Sequence, residues 1–156
     1  MIFSMKQSPV SYVSRTDATH PLATCSRHGF ILDDAEWPSV EHYYQGMKFE
    51  DEALREVVRS AANPTDAREV AKGHKREVRD DWKRVRETVM TRGVYIKCRS
   101  HPEVARALLA TGDDKLVENS QYDYFWGCGR DGRGENRYGR VLMQVRAKLR
   151  ELEAGE

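Results

Sequence analysis

Two stretches of this chain repeat their apolar residues at the spacing of a helix, and the segment between them is too rich in glycine to continue either one. Trp82, Val85, Val89 and Met90 form the first stripe, in a helix predicted over about 80–98. Tyr138, Val141, Leu142, Val145, Leu149 and Leu152 share one face of a last helix. Between them, Tyr122 to Gly139 carries five glycines and reads as a structured loop. The chain is therefore constrained to pack long helices around one core and to hang an ordered loop from them.

Shorter elements fill in the rest. The first thirty residues mix Ser, Thr, Pro and Gly with isolated aromatics and read as loops with short strands. Phe30-Ile31-Leu32 followed by Asp33-Asp34 predicts a strand ending in a turn, with Trp37 beyond it. Ser39 is a suitable N-cap, and helical character is expected from there to Arg59, with Tyr43, Met47, Leu54, Val57 and Val58 as apolar positions. Asn63-Pro64 predicts the cap and first residue of another helix. Ser100-His101-Pro102-Glu103 resembles a capping box, Gly112 suits the end of the helix it opens, and Leu116-Val117-Glu118 reads as a short strand. The expected fold is α+β, mainly α, with residues 1–156 forming a single domain.

Composition narrows the function. At 39% apolar and 33% charged, 156 residues make an ordinary globular domain, and a net charge of +1 does not suit a general nucleic-acid coat. It does allow a local basic pocket for one phosphorylated ligand, and Lys72, Lys75, Arg76 and Arg92 are unranked candidates for it. No apolar run reaches membrane-span length, and the opening MIFSMKQSPVSYVSR lacks the apolar core of a leader, so a cytoplasmic protein is expected. Cys25, Cys98 and Cys128 are odd in number and widely spaced, which suits free thiols better than a disulfide framework or a zinc site.

Two constellations carry chemistry. In Trp37-Pro38-Ser39-Val40-Glu41-His42-Tyr43-Tyr44-Gln45-Gly46-Met47-Lys48, helical spacing sets Glu41, Gln45 and Lys48 on one face, with Tyr44 beside them. That stripe is either a solvated face or a carboxylate and an amine converging on a substrate, for acid–base work or imine formation. His42 reads as a structural hydrogen-bonding group. In Tyr122-Asp123-Tyr124-Phe125-Trp126-Gly127-Cys128-Gly129, aromatic rings and glycines surround one carboxylate. Such a segment is either a pocket wall that stacks on a heterocycle or a loop pinned by buried rings, with Asp123 capping a turn. Trp82, at a helix start, suits the core.

These residues, in this order, resemble the YbiA-like family, also called NADAR. The resemblance runs over roughly residues 20–152. It covers Glu36-Trp37-Pro38-Ser39-Val40-Glu41-His42-Tyr43-Tyr44-Gln45, Lys48-Phe49, Trp82, Leu108 to Gly112 and Leu116-Val117-Glu118. It closes with Asp123, Trp126-Gly127, Gly129, Gly132, Gly134, Asn136-Arg137, Gly139 and Leu142-Met143. It implies an N-glycosidase with Glu41, Asp123 and Lys48 as catalytic residues and Trp82, Trp126, Tyr44, Asn136 and Gly127 at the substrate. It also implies no cofactor, and no metal is required by that chemistry. The implied substrate is a small phosphorylated ribosyl-heterocycle, namely a phosphoribosylamino-pyrimidine intermediate of riboflavin synthesis. An ADP-ribosyl-guanine glycohydrolase and a non-catalytic ADP-ribose-binding module are the alternatives. Hydrolysis of ADP-ribosyl-guanine in nucleic acid would require a basic approach surface that the net charge does not advertise. One departure stands out. Thr24-Cys25 replaces the family's usual Asn-Phe, which would suit a specialised pathway drawing on the same pyrimidine, such as azapteridine synthesis. Two acidic side chains far apart in sequence, Glu41 and Asp123, are expected to meet across a small aromatic-walled cavity, with the Lys48 amine close by.

Overall fold

The computed structural model describes residues 9–155, so the opening stretch read for a leader lies in part outside the described residues. Strand β1 (Val10–Val13) runs parallel to β4 (Lys115–Glu118), with Val10 opposite Lys115 and Val13 opposite Glu118. A parallel pair needs a crossover rather than a tight turn, and here most of the protein lies between the two strands. Strands β2 (Phe30–Leu32) and β3 (Ala35–Trp37) form an antiparallel hairpin. Its two turn residues, Asp33 and Asp34, have φ of 54° and 63°, a left-handed geometry that aspartate tolerates better than most residues and that matches strand twist.

Helix α1 (Val40–Gly46) begins at Ser39, whose Oγ accepts from the His42 N–H at 3.1 Å. Every residue of α1 is buried. It lies between α2 (Glu52–Arg59), α3 (Pro64–Lys72) and the long α4 (Trp82–Ser100). The continuous helix expected from Ser39 to Arg59 is two helices. At Gly46 a Cβ would stand 2.7 Å from the Trp37 indole, so the helix must use glycine, a poor helix former, where Trp37 packs. The chain then turns to bury Phe49 against Val58, Ala67 and Ala71 in a small second core, and Asp51 caps α2 through the Leu54 N–H at 3.0 Å.

Asn63 caps α3 as expected, accepting from the Asp66 N–H at 2.8 Å with Pro64 in the first turn. The capping box expected at Ser100–Glu103 does not form. Ser100 is the last residue of α4, and His101 ends α4 and opens α5 (Pro102–Leu109) without a side-chain cap bond. Pro102 explains this. Its ring drives the preceding residue to extended backbone, φ −131° and ψ 96° at His101, so one helix stops and the next starts there. The last helix, α6 (Arg137–Ala154), buries Tyr138, Val141, Leu142, Val145 and Leu149 against α4, α5 and β4, while Leu152 stays half-buried. Trp82, Val89 and Met90 of α4 are buried in the same core, with Val85 partly buried beside them.

The fold is α+β and mainly α, as the apolar spacing implied. Among the described residues no helix is long and apolar enough to cross a membrane. The three cysteines are free thiols, two of them buried.

Candidate active site

Helix α1 puts a carboxylate where water cannot reach it. Glu41 is 0% exposed. An unpaired charge there would be prohibitively costly, and four donors surround it. Oε2 accepts from Thr24 Oγ1 at 2.7 Å and from Arg15 Nη1 at 3.2 Å. Oε1 accepts from Gln45 Nε2 at 2.9 Å and lies 3.4 Å from Arg68 Nε. Burial pushes the Glu41 pKa up, but Arg15, the bonds from Gln45 and Thr24, and Arg68 outweigh it and hold the group below the ordinary carboxylate value. Glu41 is therefore an ionised carboxylate that accepts three hydrogen bonds and stands in a further ion pair with Arg68.

Arg15, in the loop after β1, is the link to the rest of the site. Its Nη2 reaches Asp123 Oδ2 at 3.4 Å while Nη1 holds Glu41. Glu41 and Asp123 thus do come together, with one guanidinium between them rather than an open gap. Asp123 also has the turn-capping role: its Oδ1 accepts from the backbone N–H groups of Phe125 and Trp126 at 3.0 and 2.8 Å. A third carboxylate, the buried Glu118, fixes this arrangement from β4. It accepts from the Arg15 backbone N–H at 2.7 Å and the Ser120 N–H at 2.9 Å.

The segment carrying Thr24 is pinned in turn. Thr24 O accepts from the Glu41 N–H at 3.0 Å, and the buried Lys97 of α4 donates to Ala23 O at 2.8 Å and Ser26 Oγ at 2.6 Å. Burial brings the Lys97 amine down to about 8. Thr24 is thus a direct partner of Glu41, and Cys25 beside it accepts from Arg68 Nη2 at 3.5 Å.

A cavity of about 370 Å³ opens onto this network, walled by Glu41, Tyr44, Gln45, Trp126 and five basic side chains, Arg15, Lys48, Arg68, Lys72 and Lys75. Lys48 lies 5.6 Å from the Tyr44 ring centroid. Burial is the main cause that lowers its pKa; Arg15 and Lys75 add to the effect and Glu41 opposes it. Tyr44 is pushed up to about 12 by burial and keeps its proton. Its ring packs on both Trp82, at 5.0 Å, and Trp126, at 5.5 Å. Of the two indoles only Trp126 is in the cavity wall; Trp82 supports it from behind through Tyr44.

Glu41 and Gln45 of the expected stripe are buried on α1, whereas Lys48 lies half-buried in the turn just beyond the end of that helix; all three line the cavity, and the solvated-face alternative falls. Of the candidate phosphate ligands, Lys72 and Lys75 border the cavity, whereas Arg92 pairs with Asp33 at 3.0 Å on the hairpin. His42 is structural, meeting Ser39 Oγ at 2.7 Å and Ala61 O at 3.0 Å.

Asn136 and Gly127 have different work from that expected. Asn136 has φ of 50°, and both ends of its amide are engaged by backbone: Oδ1 accepts from the Glu118 N–H at 2.8 Å and Nδ2 donates to Leu116 O at 2.9 Å. It clamps β4 to the start of α6. Gly127 lets the loop lie against Glu118, since a Cβ there would stand 2.7 Å from Glu118 Oε1. Replacing Asn136 by alanine leaves two backbone groups unpaired and is expected to cost about 2–3 kcal/mol of stability in chemical denaturation. Unchanged stability would refute the clamp.

Arg15 and Arg68, the strongest charges on Glu41, were not anticipated. Each is a single arginine in a polar stretch, with no spacing pattern to mark it.

The family model of the NADAR domain matches residues 2–150. This chain belongs to the NADAR family. "N-glycosidase Npun_R5314" of Nostoc punctiforme is 41% identical over 130 residues, covering 81% of this chain and 83% of that protein. "Riboflavin biosynthesis protein VVA0006" of Vibrio vulnificus is 44% identical over 115 residues, which span 74% of this chain and 31% of that longer protein. The NMR structure of Escherichia coli YbiA superimposes with a TM-score of 0.86 at 32% identity, covering 97% of this chain and 91% of that one. The single-domain, mainly α architecture is therefore that of a NADAR protein, and the expectation of a NADAR-type N-glycosidase stands.

Proposed function

We propose that this NADAR protein hydrolyses the C1–N bond of a phosphoribosylamino-pyrimidine intermediate of riboflavin synthesis, releasing ribose 5-phosphate and a diaminopyrimidine in the cytoplasm. The observation that carries this reading is the cavity wall itself. An ionised, fully buried carboxylate, Glu41, stands with a desolvated amine, Lys48, and the cavity has basic residues at its edge. Cleavage of a ribosylamine develops positive charge at C1, which Glu41 is placed to stabilise. Held ionised by two guanidinium groups and two hydrogen-bond donors, Glu41 is poorly suited to taking a proton from water. The chemistry then falls to Lys48, either as the acid that protonates the leaving nitrogen or as the amine that attacks C1 of an opened ribose. Asp123 acts through Arg15, trimming its charge and fixing its position. Trp126 and Tyr44 offer ring surface to the heterocycle. The Vibrio relative's name supports a riboflavin intermediate as substrate. Thr24, bonded to Glu41 in place of the family's usual asparagine, supports a preference shifted towards a specialised use of that intermediate, such as azapteridine synthesis.

The deciding experiment is incubation with phosphoribosylaminouracil and, separately, with ADP-ribosylated guanosine, followed by chromatography of the free base. Release from the first substrate with ribose 5-phosphate is expected. Release from the second alone would replace the substrate, and tight nucleotide binding with no release would replace the enzyme by a binding module. Lys72 and Lys75 are assigned to the phosphate. The variant Lys72→Glu/Lys75→Glu is expected to raise KM for the phosphorylated substrate by at least about 10-fold, the size of one or two lost charge-assisted bonds. The unphosphorylated riboside should be unaffected. Equal effects on both would move the phosphate elsewhere.

A further inference from the structure

The wall of this cavity holds a polar atom with nothing to do. Gln45 is 4% exposed, and its Nε2 donates to Glu41 Oε1 at 2.9 Å. That bond decides which way the amide faces, because the reverse orientation would set two electron-rich oxygens against each other. Among the described residues the amide oxygen so fixed has no hydrogen-bond partner. A buried acceptor left unpaired costs about 1–3 kcal/mol, and folded proteins keep few of them. In the same wall Arg15 Nε is a buried donor without a partner among the described residues. Arg68 Nε is a second such donor, and one spare acceptor with two spare donors on side chains of a single cavity wall complement a hydroxyl, which gives one hydrogen bond and accepts others.

Resting on the proposed N-ribosyl cleavage, we propose that Gln45 is a specificity-determining residue whose Oε1 accepts the hydrogen bond of the ribose hydroxyl on the carbon next to C1. Its position follows from the chemistry. Glu41 is placed for the charge at C1, and Gln45 is bonded directly to Glu41, so the group it can reach is one carbon away. As C1 becomes positive the neighbouring hydroxyl becomes a better donor, so the bond to Gln45 strengthens in the transition state. The same neighbour is present whether the ribose is closed or opened. Gln45 therefore serves two ends at once, its nitrogen orienting the carboxylate and its oxygen reading the sugar.

The test compares ribosyl and 2-deoxyribosyl forms of one substrate in wild type, Gln45→Leu and Gln45→Met. The ratio of kcat/KM for ribosyl over 2-deoxyribosyl is expected to fall about 10- to 30-fold in both variants, with the loss of one such bond appearing on the ribosyl form. A residue that only braces Glu41 would slow both forms alike and leave the ratio unchanged, and that result would overturn the assignment. A binding arm needs no turnover: ribose 5-phosphate should raise the melting temperature of wild type more than 2-deoxyribose 5-phosphate does, and the two sugars should be equivalent for the variants. Wild type that fails to distinguish the two sugar phosphates overturns the proposal even if neither variant folds. Wild type that distinguishes them but releases no base refutes the glycosidase substrate and leaves the Gln45 contact supported.

Discussion

The variant Glu41→Gln is expected to lose on the order of 10³-fold in kcat, the scale of removing a preorganised charge from a developing one. Glutamine preserves the shape and the hydrogen bond to Gln45 or Thr24, but it leaves Arg15, Arg68 and Lys48 facing one another without their counter-charge. Stability should fall as well, by about 3 kcal/mol, as is usual when one partner of a buried ion pair is removed. The pH dependence of that deficit identifies its origin. The Glu41 pKa in the folded protein lies below its ordinary value of 4.5, so its contribution is fully present above about pH 4.5 and is lost as pH falls through the lower folded-state value. The gap between wild type and Glu41→Gln, measured by denaturation, should be constant near neutrality and close in acid. Wild-type turnover in the variant would remove Glu41 from the mechanism, and a gap that widens in acid would contradict the ion-pair account.

The second large effect is at Lys48. Lys48→Arg keeps the charge but forfeits the nucleophile, and Lys48→Met removes both. If the amine attacks C1, both variants should fall by at least about 10³-fold, a barrier difference near 4 kcal/mol. Borohydride added during turnover should then join a reduced ribose 5-phosphate unit to Lys48, detectable by peptide mass spectrometry. The opposite role gives a different pattern. As a proton donor Lys48 loses activity when pH rises through its lowered pKa, whereas as a nucleophile it loses activity when pH falls through it. The direction of that limb in kcat, together with trapping or its absence, separates the two routes. Substantial activity in Lys48→Arg with no trapped adduct would reduce the lysine to a fixed charge.

Much of this architecture could be read from the order of residues, because helices with one apolar face announce themselves by spacing. The stripes of α4 and α6, the Asn63-Pro64 start of α3 and the Asp33-Asp34 turn are all local signals, and all formed. The break between α1 and α2 was not legible. It arises from Trp37 packing against Gly46, a contact between elements with no local signature. The site shows the same division. Spacing placed Glu41 and Gln45 on one helix face, and Lys48 joins them from the turn beyond α1, but spacing could not say whether that face met water or protein. What decided it was α2, α3 and α4 closing around a helix of only seven residues. Arg15 and Arg68 reach Glu41 from a loop and from α3 respectively, and isolated basic residues give no hint of their destination. Asn136 was assigned to the substrate by resemblance alone, whereas its amide is spent on strand β4 and its left-handed backbone on starting α6.

Because α1 is buried on all sides, the Glu41 carboxylate and the interior share one short rod. A change of side chain on it disturbs folding and chemistry in the same stroke, so that rod is a poor place for new substrate preferences to arise. Room for drift lies in the pieces that touch it from outside, chiefly the Thr24 segment and the exposed lysines near the end of α3. Proteins built on this plan should therefore diversify by exchanging what leans on the rod while leaving the rod itself alone.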